Sequence, residues 1–260
     1  MALQAQKNQD IAALTLYQSE EEKKRLQFIV DQITAHTTST DLKVLEIGCG
    51  NGNVCKAIAH LGYQVLGIDV DAESIKYAEE HNDLPNLEFR VQPAEDLPQE
   101  NHFDIIVCTE VLEHLHDPAI VLHYVAGNLK DNGIFVSTVP NGRGPREALM
   151  TKPMQKMQKG NKGDVLQKFK ELFGFGKGTV QSSNPDLEHI QFFAKSEIIK
   201  LHEQHGLRLI KFGKADFIRN VFPYSILTRR IYALQKLDCK MADILPSAFT
   251  SGFYMAYVKA

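Results

Sequence analysis

Val44-Leu45-Glu46-Ile47-Gly48-Cys49-Gly50-Asn51-Gly52 decides the fold. An apolar run suited to a buried strand passes directly into three glycines within five residues, and a helical pattern follows from Val54. Each glycine lacks a Cβ and accepts positive φ, so the chain can turn sharply and lay its backbone amides against a bound group. The stretch predicts strand, tight ligand-facing turn and helix in succession.

Outward from this turn, short β-branched runs alternate with amphipathic segments. Val44–Ile47, Val65–Ile68, Leu87–Val91, Ile105–Cys108 and Ile134–Thr138 read as parallel strands. Val54–Leu61, Ala72–Glu80 and Ala119–Leu129 carry apolar residues at helical spacing between them, and Asn132-Gly133 reads as the turn into the fifth strand. Right-handed βαβ crossovers and a doubly wound α/β sheet follow. Upstream, Glu20–Thr34 is an amphipathic helix with Leu26, Ile29, Val30 and Ile33 on one face, expected to pack across the sheet or over the ligand. Downstream, Lys195–His205 reads as a helix stopped by Gly206, and Leu207–Phe212 and Phe253–Val258 as strands. Residues 216–248 form an insertion expected to be helical.

The 260 residues suffice for one large domain with a substantial insertion. We divide it into an N-terminal helical cap (1–40), a cofactor-binding core (41–140), a basic lid insertion (141–186) and a C-terminal sheet portion with its helical insertion (187–260). A net charge of -3 predicts no general affinity for DNA or other nucleic acid. Cys49, Cys55, Cys108 and Cys239 form no CxxC pair and read as reduced thiols. With neither a basic-then-apolar leader nor a run approaching the ~18 apolar residues of a membrane span, the chain is expected to be cytoplasmic.

The glycine spacing separates cofactor classes. Gly48, Gly50 and Gly52 follow G-x-G-x-G, whereas a dinucleotide fingerprint places its third glycine where Asn53 stands. Asp69 ends the second strand, where a carboxylate can accept from both ribose hydroxyls. The structural alternative makes Asp69 a helix cap and the glycines a mere tight turn. Together the two features point to a nucleoside without diphosphate.

At these residues the chain resembles the class I S-adenosylmethionine-dependent methyltransferases over about residues 40 to 140, with weaker agreement to 213. The resemblance implies a Rossmann-like seven-stranded sheet with an antiparallel last strand, and S-adenosyl-L-methionine as cofactor. By resemblance Glu46 orients the glycine turn and the methionine end, and Gly48 and Gly50, within the turn that includes Cys49, Asn51 and Gly52, meet the cofactor. Asp69 takes the ribose and Val70 packs on adenine. Ala94 and Glu95, in Gln92-Pro93-Ala94-Glu95-Asp96-Leu97-Pro98, are the candidates for the adenine edge. Pro93 departs from the polar residue common there, and Glu95 has the alternative of a solvated loop acid.

The fourth strand ends in Cys108-Thr109-Glu110-Val111-Leu112-Glu113-His114, at the sheet edge where such folds place ligands. Thr109 and Glu110 are assigned to the cofactor. The Glu-Val-Leu-Glu-His run followed by His116-Asp117-Pro118 resembles the subgroup containing ubiquinone-pathway O-methyltransferases. Methyl transfer to a hydroxyl needs alignment and a base, and His114 or His116, with Glu113 beside them, could supply one. A structural residue and an exposed loop residue are the alternatives for the two histidines. If helical, Glu110, Glu113 and His114 would share a face. With His189 downstream they resemble the metal site of small-RNA 3′-terminal ribose methyltransferases. The sequence reading nevertheless assigns no metal ligand, taking His189 as a catalytic-pocket or lid-hinge residue.

Residues 141–180 hold nine basic residues, Arg143 and Arg146 among them, against three acidic ones. This segment has three readings: a solvated loop, a lid over an anionic acceptor, and peripheral membrane contact through the aromatic and cationic run Lys168–Lys177. Val221–Tyr224 and Ile226-Leu227 could add apolar contact, with core packing as the alternative. The sequence reading is an O-methyltransferase acting on a small, anionic or lipid-linked molecule. Its alternatives are metal-dependent methylation of an RNA 3′-terminal ribose, which would make RNA a partner, and a catalytically inactive cofactor-binding scaffold. The oligomeric state is not written in the sequence.

Overall fold

A computed structural model describes residues 13, 15–37, 39, 41–98, 102–153, 188–221, 223–228 and 230–260. Most of the lid insertion, including the Lys168–Lys177 run, lies outside them, as does Phe222.

Helix α1 (Glu20–His36) starts at a capping box: Ser19 accepts from the Glu22 amide while the Glu22 side chain accepts from the Ser19 amide. Three glutamates in its first turn suit the positive end of the helix dipole. Its apolar face, Leu26, Ile29, Val30 and Ile33, is fully buried.

The strands are β1 (Lys43–Ile47), β2 (Gln64–Asp69), β3 (Leu87–Val91), β4 (Phe103–Thr109), β5 (Leu129–Pro140), β6 (Leu207–Lys214) and β7 (Gly252–Lys259). They form one sheet in the order β3-β2-β1-β4-β5-β7-β6. The first five run parallel, and β7 is antiparallel to both β5 and β6. The last strand of the chain is thus antiparallel, as expected, and lies between β5 and β6 in the sheet. Helices α2 (Asn53–His60), α3 (Ala72–Glu80), α4 (Pro118–Asn128) and α5 (Lys195–Glu203) flank the sheet. One core joins α1, α2 and α3 to it through Ile29, Val54, Ile58 and Ile75, and a second joins α4 and α5 through Leu122, Val125 and Ile198. With both faces covered, the central strands are apolar on both sides.

Several boundaries differ from the sequence reading. Asn132-Gly133 is not a separate turn but lies where the β4–β5 register jumps, between the pairs Phe103–Leu129 and Ile105–Ile134. The alternative that made Asp69 a helix cap is not realised, because Asp71 caps α3 by accepting from the Ser74 amide. The 216–248 insertion contains two helices, α6 (Tyr224–Thr228) and α7 (Tyr232–Ile244), the latter packed on α1. Val221 is buried there, whereas Ile226 and Leu227 are exposed. The four cysteines are free and buried.

Candidate active site

A cavity of about 720 Å³ opens at the carboxyl ends of β1, β2 and β4. This is where the strand order reverses between β1 and β4, the position at which doubly wound sheets bind ligands. Gly48, Gly50, Asp69, Val70, Ala94 and Glu95 line one end, and Glu113, His114, Arg146 and His189 line the other. Thr109 and Glu110 lie between, with Glu21, Glu22 and Arg25 of α1 also on the wall. One helix thus covers both the sheet and the cavity.

The glycine turn takes positive φ at Gly48, Gly50 and Gly52 (71°, 50° and 75°). Its amides are largely spent inside the protein. Gly48 and Cys49 both donate to the Ile68 carbonyl, at 2.8 and 3.0 Å, and Gly50 donates to Asp69 Oδ2 at 2.8 Å. What the glycines offer a ligand is therefore space rather than hydrogen-bond donors. A Cβ on Gly52 would strike Phe89, so that glycine serves core packing. Cys49, Asn51 and Gly52 are not among the residues lining the cavity.

Asp69 holds its geometry through two amides, Gly50 on one oxygen and Asp71 on the other at 2.9 Å. A carboxylate oxygen has two lone pairs, so each retains one for a vicinal hydroxyl. Val70 is 71% exposed beside it, an apolar face of the size a flat heterocycle covers. Ala94 and Glu95, at the 3-10 turn Ala94–Asp96, are buried and exposed respectively on the same wall. These residues fit a nucleoside bearing an unphosphorylated ribose.

Glu46 stands behind the turn and does not line the cavity. Burial pushes its carboxyl up to about 8, and Cys55, at the start of α2, donates its thiol to Oε2 at 2.8 Å. Its direct contact therefore ties β1 to the helix.

Glu110 is the one non-glycine residue with positive φ, at 56°, among the described residues. Left-handed backbone at a glutamate stores strain that the surroundings must hold in place. They do so by giving its side chain the Thr138 hydroxyl at 2.9 Å and Arg25 at 3.7 Å. The segment is not an α-helix: a single 3-10 turn spans Leu112–His114. The expectation that Glu110, Glu113 and His114 share a helical face is therefore corrected, because Glu110 is turned toward Thr138 and Arg25.

Glu113, His114 and His189 do converge, with ligand-type atoms all within 4.8 Å of one another. Glu113 is buried, and neither of its carboxylate oxygens has a hydrogen-bond partner among the described residues. Burial, with Glu110 nearby, pushes its carboxyl well above the usual range. Burial also lowers the His114 imidazole, and His114 Nδ1 lies 2.9 Å from the Glu188 carbonyl. A carbonyl only accepts, so Nδ1 carries the proton and Nε2 offers its lone pair. His189 packs edge-on to His114, with ring centroids 5.1 Å apart. Behind it, fully buried Glu147 comes within 3.5 Å of His189 Nδ1. His116 is exposed, does not line the cavity, and contributes its carbonyl to Gln191.

Sequence reasoning missed Arg25 and Glu147. Arg25 had a signal, a cation beside the apolar stripe of α1, whereas Glu147 follows the last parallel strand with no pattern around it.

A model described as a methyltransferase domain matches residues 4–211. The ubiquinone biosynthesis O-methyltransferase of Xanthomonas campestris pv. campestris strain B100 is 37% identical over 115 residues, covering 42% of this chain and 48% of that protein. The chain thus spans about half the length of the curated relatives it matches. Among solved structures, magnesium protoporphyrin IX methyltransferase from Synechocystis PCC 6803 with bound S-adenosylhomocysteine superposes with TM-score 0.57 at 15% identity, over 92% of this chain and 84% of that one. Geranyl diphosphate C-methyltransferase from Streptomyces coelicolor A3(2), in complex with magnesium, geranyl diphosphate and S-adenosyl-L-homocysteine, gives 0.58 at 14% identity, over 92% and 79%. At such identities the superpositions show a shared fold. The family match over most of the chain, joined to a cavity shaped for a nucleoside, establishes that this chain belongs to the methyltransferase domain family and uses S-adenosyl-L-methionine.

Proposed function

We propose that the protein methylates a hydroxyl oxygen of a small, anionic or lipid-linked acceptor bound between Thr109 and His189. The observation that carries this reading is His114, which lines the cavity with Nδ1 tied to the Glu188 carbonyl, so that Nε2, 3.7 Å from Glu113 Oε1, is the nitrogen left to accept. Bound S-adenosylmethionine supplies an electrophilic methyl on sulfonium sulfur. Asp69 would grip the ribose, Val70 and Ala94 the adenine, and the strained Glu110 turn would fix the wall near the reacting atoms. The acceptor hydroxyl would lie against His114, which would take its proton as the oxygen is methylated. Depressed by burial, the imidazole stays neutral near pH 7 and able to accept. Arg25 and Arg146 on the walls suit an acceptor carrying phosphate or carboxylate.

One observation favours the metal-dependent ribose reading. Glu113, His114 and His189 would present three ligand atoms to one ion, and each histidine has its other ring nitrogen against an oxygen, of Glu188 or Glu147. Such outer contacts orient imidazoles for a metal. The first reading stands ahead of it because the chain is acidic overall and Glu110 faces away from the group.

Incubation with radiolabelled S-adenosylmethionine and fractionated cell extract separates the readings. Label in the small-molecule or lipid fraction, unaffected by chelator, supports O-methylation. Label in RNA that requires manganese or cobalt replaces it with the second reading. Tight cofactor binding without any labelled product would favour the scaffold alternative.

A further inference from the structure

Helix α7 is apolar on two opposite sides. Its inner side carries buried Cys239 and Ala242 against α1, while its outer side exposes Leu237 (51%), Met241 (39%) and Ile244 (86%), spaced four and three residues apart. Single exposed apolar residues are ordinary on a protein surface, and concentration is what requires explanation. Eight of the fifteen large apolar side chains exposed among the described residues fall between 226 and 249, Ile226, Leu227 and Phe249 included. A helix apolar on both sides is built to be covered on both.

Beside this face runs a groove between α1 and α7, lined by Lys23, Lys24, Lys236 and Lys240 against Glu20 and Asp243. Lys24 is partly neutralised by Asp243 at 2.7 Å. Lys23 and Lys236 both lie over the Tyr232 ring, 5.3 and 5.0 Å from its centroid. Two ammonium groups held on one aromatic ring, next to an uncovered apolar row, form a local positive surface in a chain of net charge -3.

We propose that the α1–α7 groove and the outer face of α7 dock the protein on an anionic lipid bilayer. The lysines meet the headgroups while Leu237, Met241 and Ile244 enter the acyl boundary. A second copy fits worse, because isologous pairing through this face would bring the lysines of the two copies together. The opposite face of α1 lines the catalytic cavity through Glu21, Glu22 and Arg25, so docking would bring the cavity wall near the membrane. This assignment does not depend on the acceptor's identity.

The test is cosedimentation of the full chain with vesicles of phosphatidylcholine alone or with about a third phosphatidylglycerol. Binding should require the anionic lipid and weaken steeply as salt is raised. Leu237→Gln/Met241→Gln/Ile244→Gln and, separately, Lys236→Glu/Lys240→Glu should each weaken binding by at least about tenfold. Both variants should bind S-adenosylhomocysteine like the wild type, which shows that they fold. No vesicle binding by the wild type overturns the proposal, as does binding that both variants retain. It is equally overturned by a wild-type dimer in sedimentation velocity that the apolar variant converts to monomer.

Discussion

His189 Nδ1 lies 3.5 Å from Oε1 of Glu147, a carboxylate wholly shielded from solvent by the residues around it. Burial works to raise the Glu147 carboxyl, but contact with His189 and the charge of Arg146 outweigh it and hold it below the usual range. An ionised buried carboxylate needs such partners, and in return it fixes the ring that faces His114.

Replacing Glu147 with Gln should therefore cost activity rather than stability. We expect kcat to fall about 10- to 100-fold, as for other partners that orient a site histidine, with melting temperature and S-adenosylhomocysteine affinity near wild type. Glu147→Asp should recover part of the loss. An unchanged kcat would remove Glu147 from the site.

Gly48 has φ of 71°, and a Cβ there would collide with Val111 Cγ2. Gly48→Ala should cost about 1–2 kcal/mol from the left-handed backbone alone, with the collision in addition. Adding Val111→Ala should relieve the collision and leave the backbone cost. Thermal melts of the two variants measure the two parts. A single variant as stable as wild type would contradict the observed turn geometry.

Asp69 pairs with two backbone amides and is proposed to accept from the ribose. Calorimetry of Asp69→Ala with S-adenosylhomocysteine should show affinity reduced by about 1.5–3 kcal/mol, the range for hydrogen bonds to a charged group. Binding of wild-type strength would assign the carboxylate to the turn alone.

His202 gives the protein an acid sensitivity of its own. Its ring is buried, stacks on Tyr257 at 4.3 Å between centroids, and places Nδ1 2.7 Å from the Ile198 carbonyl. Burial lowers its pKa from 6.5 to about 4. Between those values the unfolded chain binds the extra proton and the folded chain does not, so stability falls as pH drops from 6.5 toward 4, by roughly 3 kcal/mol from this group. His202→Phe should lose less stability than wild type over that window in paired denaturant melts. Parallel pH profiles would show that another group sets the acid limb.

The parallel half of the fold was legible because its signals are local. Val44–Ile47 and Val65–Ile68 are apolar enough to be buried on both faces, and the glycines between Ile47 and Asn53 permit a turn that other residues resist. Asp69 was legible because strand ends align at one sheet edge. The lysines of α1 and α7 gave no signal, since each looks like a solvated charge until the helices lie side by side. The position of β7 between β5 and β6 is likewise set by long-range pairing rather than by its own residues.

The sequence by itself determined the alternating architecture, the glycine turn and the candidate acids and bases other than Glu147. Tertiary structure alone decided which of them meet. Glu110, three residues before Glu113, turns to Arg25 and Thr138, while His189, far along the chain, reaches His114. The reason is physical: desolvation and hydrogen bonding act between groups close in space, and here the strained backbone at Glu110 and the burial of Glu113 and Glu147 choose the partners.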